Sequence, residues 1–304
     1  MNPRALRGSL VALITPFDEA LNIDQNAYLE LLDWHLGSGS SGLVIAGTTG
    51  ESAQLSEHEF QKLLEIAVKR VGGRLPLIAG TGTASTAKSV QLTRLAQSIG
   101  VDAALVVTPY YVRPPQEGLL RHYQAVADVG LPIILYNVPS RTGVDLLPST
   151  VELLSMHPEI IGIKEAKSDL ERIRALLAIK SERPFLVLSG DDESAAEAVM
   201  LGADGVISVI ANVLPDLFAA LMNGAANKDP KTAERNRALR PLLALLGVEP
   251  NPIPVKWALK ELRRCEAYLR LPLLPLNVIH RPAIRAALAA LNRLPTPLIP
   301  EISR

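Results

Sequence analysis

The chain has 304 residues, 48 % of them hydrophobic and only 4 % aromatic, so it can bury one large core or two smaller ones built mainly of aliphatic side chains. Its 31 basic residues balance 31 acidic ones, and a formal charge of zero argues against a broad nucleic-acid or anionic-membrane surface. The single cysteine, Cys265, excludes an internal disulfide and suits a reducing compartment.

At the N-terminus Arg4 and Arg7 precede an aliphatic run at 10–14, a little like a signal peptide. Pro16, Asp18 and Glu19 then interrupt and no small-residue cleavage site follows, so the run reads as a first strand. No stretch approaches the ~18 apolar residues of a membrane span, and a cytoplasmic protein is expected. Further aliphatic runs recur at 43–46, 77–79, 103–107, 133–135, 160–163, 185–188 and 206–209. Between them the spacing is helical. Tyr28, Leu31, Leu32 and His35 share one face. Ser56 and Glu59 form a capping box ahead of Phe60, Leu63, Leu64 and Ala67, and Gly72-Gly73 stops that helix. Pro148 suits a first helical turn leading to Val151 and Leu154.

Eight strand-like runs alternating with helices give the count of a parallel (β/α)8 TIM barrel, with a doubly wound open sheet as the competitor. Polar or glycine motifs after nearly every run favour the barrel, where strand ends form the catalytic face. After Gly224 the alternation ceases. The segments 229–246 and 255–264 are helical in pattern, a further helix runs through Ile284 and Leu288, and prolines cluster at Pro295, Pro297 and Pro300. The expected organisation is a catalytic barrel over 1–224 and a C-terminal helical domain over 225–304.

The sixth run ends Ile160-Ile161-Gly162-Ile163-Lys164-Glu165-Ala166. Burying an ammonium in apolar surroundings is costly, so Lys164 either pairs with an acid, Glu165 being nearest in sequence, or gives up its charge. A neutral amine attacks carbonyls and forms Schiff bases. Gly162 leaves room for close approach to the strand. The second run ends in Gly47-Thr48-Thr49-Gly50-Glu51-Ser52, whose backbone N–H groups would suit a carboxylate or phosphate; it lacks the closing Gly-Lys-Ser/Thr of a Walker loop. The fourth leads to Thr108-Pro109-Tyr110-Tyr111, and the fifth to Tyr136 followed by Arg141. A phenol can shuttle a proton and a guanidinium can grip a carboxylate with two hydrogen bonds. Asp191, Asp192 and Glu193 could suggest a metal, but suit the N-terminus of the next helix better. The five histidines fit no zinc spacing, so no metal or other cofactor is expected.

These motifs, in order, resemble the 4-hydroxy-tetrahydrodipicolinate synthase (dihydrodipicolinate synthase) family of pyruvate-dependent class I aldolases. The resemblance is carried by residues 47–52, 108–118, 136–143, 162–166, 189–192, 205–212 and 249–257, and it spans essentially the whole chain. It implies a (β/α)8 barrel with C-terminal helices, and condensation of pyruvate with L-aspartate 4-semialdehyde through an imine on Lys164. It further implies that Tyr136 moves protons, that Thr48 links it to a Tyr111 contributed by the neighbouring subunit, that Thr49 holds the pyruvate carboxylate, that Arg141 holds the aldehyde's carboxylate, and that the main chain at Ile207 lines the pyruvate pocket. A homotetramer, a dimer of dimers, is implied as well. Another pyruvate-linked lyase or dehydratase acting on a sugar acid, and a non-catalytic keto-acid-binding barrel, are the other readings.

One departure from the family concerns its lysine-inhibited members. Ser52, Ala53 and Tyr110 match their effector site, but Lys88 replaces an acid, Ala84 an amide, and Glu57 and Phe60 histidines. Lys88 would repel a ligand ammonium, with Glu57 solvated on its helix. Inhibition by lysine is therefore expected to be absent or weak.

Overall fold

A computed structural model describes residues 6–182 and 184–294; Arg4 and the prolines Pro295, Pro297 and Pro300 lie outside the described residues. Eight parallel strands close on one another in sequence order: β1 (Gly8–Ala12), β2 (Gly42–Ile45), β3 (Leu77–Gly80), β4 (Ala103–Val107), β5 (Ile133–Asn137), β6 (Ile160–Glu165), β7 (Leu186–Ser189) and β8 (Gly205–Ser208). β1 pairs with both β2 and β8, which excludes the open sheet.

Period-2 alternation divides the strand residues between two cores. Leu10, Val44, Ile78, Leu105, Ile134, Leu186, Leu188 and Ile207 fill the barrel interior. Val11, Leu43, Ala79, Val106, Leu135, Ile163 and Val187 face outward and share a second core with the helices. Those helices are α1 (Gln25–Gly37), α2 (Glu57–Val71), α3 (Thr86–Ile99), α4 (Gln116–Ala127), the short α5 (Pro139–Thr142), α6 (Pro148–Leu154), α7 (Leu170–Glu182), α8 (Ala195–Leu201) and α9 (Pro215–Ala226). Local signals set several of their ends. The Ser56–Glu59 capping box forms in both directions, Gly72 ends α2 in the left-handed conformation, and Pro148 occupies the first turn of α6. Tyr28, Leu31, Leu32 and His35 make up the buried face of α1.

α9 packs on α8 and β1 as the eighth barrel helix, so the boundary expected after Gly224 falls in its last turn. α10 (Thr232–Leu246), α11 (Ile253–Glu261) and α12 (Arg281–Ala290) follow, α10 resting on α9 and α12. No helix among the described residues is long and apolar enough to cross a membrane.

Three local features were not expected. A 3-10 turn at Ser52–Gln54 and the helix α5 shorten the loops after β2 and β5. Between β5 and β6 the register shifts by one: Ile133 faces Ile160, but Ile134 faces Gly162, leaving Ile161 as an extra residue.

Candidate active site

Lys164 lies near the C-terminal end of β6 and points into the barrel, only 5 % exposed. Its cross-strand partner is Tyr136 of β5, and its Nζ stands 4.4 Å from the centre of that ring. The alternative pairing with Glu165 does not occur. Successive side chains leave opposite faces of a strand, so Glu165 points outward. There it accepts from Asn137 Nδ2 at 3.0 Å and from the Lys167 N–H at 2.9 Å. Lys164 makes no ion pair among the described residues.

Glycines shape the space around this lysine, and the close approach expected at Gly162 is that of the neighbouring strand. A Cβ on Gly162 would stand 2.5 Å from Leu186 Cβ, so its missing side chain admits the neighbouring strand. A Cβ on Gly190 would stand 2.9 Å from Lys164 Cε, so Gly190 is the glycine that makes room for the lysine.

The three acids after β7 divide their work differently from expectation. Asp191 Oδ2 accepts from the Ser194 N–H at 3.0 Å at the start of α8. Asp192 Oδ2 accepts instead from the N–H groups of Val209 and Ile210, at 2.9 and 2.8 Å, and so ties this loop to the end of β8, just beyond Ile207. Burial pushes the Asp192 carboxyl up, against the pull of these N–H donors and of nearby Lys164. Among the described residues no group of three His, Cys, Asp or Glu side chains could hold a metal ion.

The loop after β2 is held from a distance. The N–H groups of Gly50, Glu51 and Ser52 bond back to the carbonyls of Gly47 and Thr48, which takes those three donors away from any incoming anion. Thr49 is buried, and its Oγ1 accepts from Asn251 Nδ2 at 2.9 Å. Glu51 is buried against Lys256 of α11 at 2.5 Å. Lys256 Nζ also donates to the Tyr268 carbonyl at 2.8 Å and lies 4.1 Å over the Phe17 ring. Burial lowers the Lys256 pKa, and the carboxylate of Glu51 opposes the shift. Sequence reasoning missed this pair; the only signal was a lysine inside the apolar face of α11.

A cavity of about 600 Å³ opens beside these groups, lined among others by Thr48, Val107, Tyr110, Val138, Arg141 and Asn251. Arg141 is exposed at its edge and donates to the Asn251 carbonyl at 3.4 Å. Lys164, Tyr136 and Ile207 are not part of this lining; they form a more deeply buried group, at 5, 8 and 1 % exposure. No hydrogen bond joins Thr48 to Tyr136 among the described residues. Tyr111 stands apart from the site within this chain, 92 % exposed and at φ 71°. Left-handed backbone costs about 1–2 kcal/mol for a residue other than glycine, so the tyrosine is presented outward at some expense.

The residues that the resemblance relates to an effector site line the same cavity, namely Ser52, Ala53, Glu57, Phe60, Ala84 and Lys88. Lys88 is not a bare cation there. It forms an ion pair with Glu57, which also accepts from Gln91 and whose pKa Lys88 lowers.

A profile of the Dihydrodipicolinate synthetase family matches residues 5–291. The chain belongs to this family. Among relatives, a 4-hydroxy-tetrahydrodipicolinate synthase of Stenotrophomonas maltophilia is 48 % identical over 295 residues, covering 95 % of this chain and 99 % of the relative. One of Xanthomonas campestris is 50 % identical over 281 residues, 92 % of each chain. Among solved structures, a dihydrodipicolinate synthase of Acinetobacter baumannii in complex with pyruvate superposes with a TM-score of 0.93 at 42 % identity, covering 95 % of this chain and all of the other.

Proposed function

We propose that this chain condenses pyruvate with L-aspartate 4-semialdehyde to 4-hydroxy-tetrahydrodipicolinate through an imine on Lys164, in the cytoplasm, on the route to diaminopimelate and lysine. The observation that supports it most is a buried lysine outside any ion pair, facing a phenol at the catalytic end of a closed barrel.

The chemistry follows from these groups. Lys164 as a neutral amine adds to the pyruvate ketone, and water leaves to give the imine. Loss of a methyl proton gives an enamine, whose carbon attacks the aldehyde. The second substrate's own amine then displaces Lys164 and closes the ring. Tyr136 carries the protons of imine formation, including the one that lets the carbinolamine oxygen leave as water. Thr49 receives the pyruvate carboxylate beside the Ile207 main chain, and Arg141 the carboxylate of the aldehyde. The sequence calls on no metal or cofactor. Arg141 weighs against a sugar acid, whose polyol needs hydroxyl partners. Supplying pyruvate with each candidate aldehyde and following product tests the assignment; turnover with a sugar-acid aldehyde and none with the semialdehyde would overturn it.

Tyr111 of the partner subunit completes the proton relay through Thr48 in this reading, within a homotetramer built as a dimer of dimers. Its exposure and strained backbone support a role outside its own chain. Mixing Tyr111→Phe with Lys164→Ala protein under subunit exchange should regenerate one intact site per hybrid dimer. No recovery despite proven exchange counts against the shared site.

Lysine is not an inhibitor in this reading, although the reason differs from simple repulsion. The acid that could receive a ligand ammonium, Glu57, is engaged by Lys88, and Ala84 offers no hydrogen bond. Titration with lysine checks it: inhibition below about 1 mM, roughly 4 kcal/mol of binding, contradicts the proposal.

A further inference from the structure

The ends of β5 and β6 carry a polar cluster on the face opposite Lys164 and Tyr136. Asn137 is fully buried; its Nδ2 donates to Asp145 Oδ1 at 2.8 Å and to Glu165 Oε2 at 3.0 Å, and its Oδ1 accepts from the Leu146 N–H at 3.0 Å. Arg172 of α7 closes the cluster. Its Nη2 donates to Asp145 Oδ2 at 2.6 Å, its Nη1 donates to the Leu146 carbonyl at 3.0 Å, and Nη1 lies 3.7 Å from Glu165 Oε2. The reaction described above uses none of these side chains.

Their position in the register is what gives them a role. Asn137 and Glu165 are the pair immediately beyond Tyr136 and Lys164. That pairing exists only because Ile161 is an extra residue between β5 and β6. Without the bulge Tyr136 would face Ile163, and a one-residue slip turns every side chain of a strand to the other face. Lys164 would then point among the helices. A buried charge cluster is a poor source of stability, since apolar packing of similar shape serves as well or better. It is a good source of position, because its hydrogen bonds are satisfied in one arrangement only. Burial raises the Glu165 carboxyl, against the pull of Asn137, the Lys167 N–H and Arg172, so the cluster is maintained at a cost.

We propose that Asn137, Asp145, Glu165 and Arg172 are positioning residues that lock the β5–β6 register and so hold Lys164 opposite Tyr136. The inference rests on the reading of Lys164 as the imine-forming residue.

The test is the rate at which borohydride traps pyruvate on Lys164, measured with kcat, KM for pyruvate and the melting temperature of the intact protein. Asn137→Ala and Arg172→Met should slow trapping and kcat about 10- to 100-fold, the effect of small misplacements of reacting groups, with KM changed far less. Arg172→Lys should recover part of the loss, because it restores the charge without the planar fork. Leu288→Ala, buried in α12, should lower the melting temperature yet trap at the parental rate. If Arg172→Met does not fold, Glu165→Gln, which keeps the shape and removes the charge, should show the same slowing. Parental trapping rates in folded Asn137→Ala and Glu165→Gln would overturn the proposal. Absence of any adduct in the parent protein would remove the functional reading, and this inference with it.

Discussion

Among the described residues two lysines are buried, Lys164 at 5 % exposure and Lys256 at none, and their surroundings are opposite. Lys256 is saturated: Glu51 Oε1 at 2.5 Å, the Tyr268 carbonyl at 2.8 Å and the Phe17 ring at 4.1 Å. Its partner is saturated too, since Glu51 Oε2 accepts from the Arg270 N–H at 3.1 Å. Lys164 makes no ion pair among the described residues: the face of Tyr136 lies at 4.4 Å, Asp192 acts on it only through space, and the carboxylate next to it in sequence is turned away and tied to Asn137 and Arg172. A lysine whose donors are all taken is part of the scaffold. One left without an ion pair, in a barrel lined by aliphatic side chains, has an amine free to act as a nucleophile.

The comparison predicts opposite outcomes for the two lysines. Lys164→Ala should lower turnover by at least about 10³-fold, the order expected for loss of a covalent nucleophile, while leaving the melting temperature close to that of the parent. Kinetics and thermal melts on one preparation check both halves. Lys256→Met should do the reverse in emphasis. It strands a buried carboxylate, at a cost of about 3–5 kcal/mol, visible as a lower denaturation midpoint. Glu51→Gln combined with Lys256→Met should regain most of that loss, and a double-mutant cycle with no coupling would break the pairing argument.

The smallest effect concerns two buried histidines, which give up their charge where Lys256 finds a partner for its own. Burial, helped by the Arg264 cation, lowers the His35 pKa to about 3, and burial lowers that of His122 to about 4. Both folded values lie below the ordinary 6.5, so the folded state binds fewer protons than the unfolded one. Their contribution is therefore fully present above about pH 6.5 and is lost as pH falls towards 4 and then 3, roughly 2 kcal/mol per histidine already at pH 5. His35→Gln should flatten the fall in stability between pH 6.5 and 5; an unchanged slope would place the acid sensitivity elsewhere.

What could be read before the structure was whatever depends on neighbours in the chain. Eight aliphatic runs, the Ser56–Glu59 box and Lys164 at the end of an apolar strand all rest on spacings of a few residues. What escaped depends on distant partners. Glu51 meets Lys256 across 205 positions, and Thr49 meets Asn251 across 202. Neither pattern leaves a local trace, and Glu51 read only as the acid of a loop. The bulge at Ile161 escaped for a different reason. A run of isoleucines is equally apolar on both faces, so nothing in residues 160–163 marks where the register shifts. The role of Glu165 turned on that same alternation, and so did the choice between an ion-paired and an unpaired Lys164.

The most direct measurement is to incubate the parent protein with pyruvate, reduce with borohydride, digest, and locate the adduct by mass spectrometry. The account predicts a single modified residue, Lys164, with Lys256 untouched despite its equal burial. An adduct on Lys256 or on a surface lysine, or none at all under conditions of turnover, would contradict it.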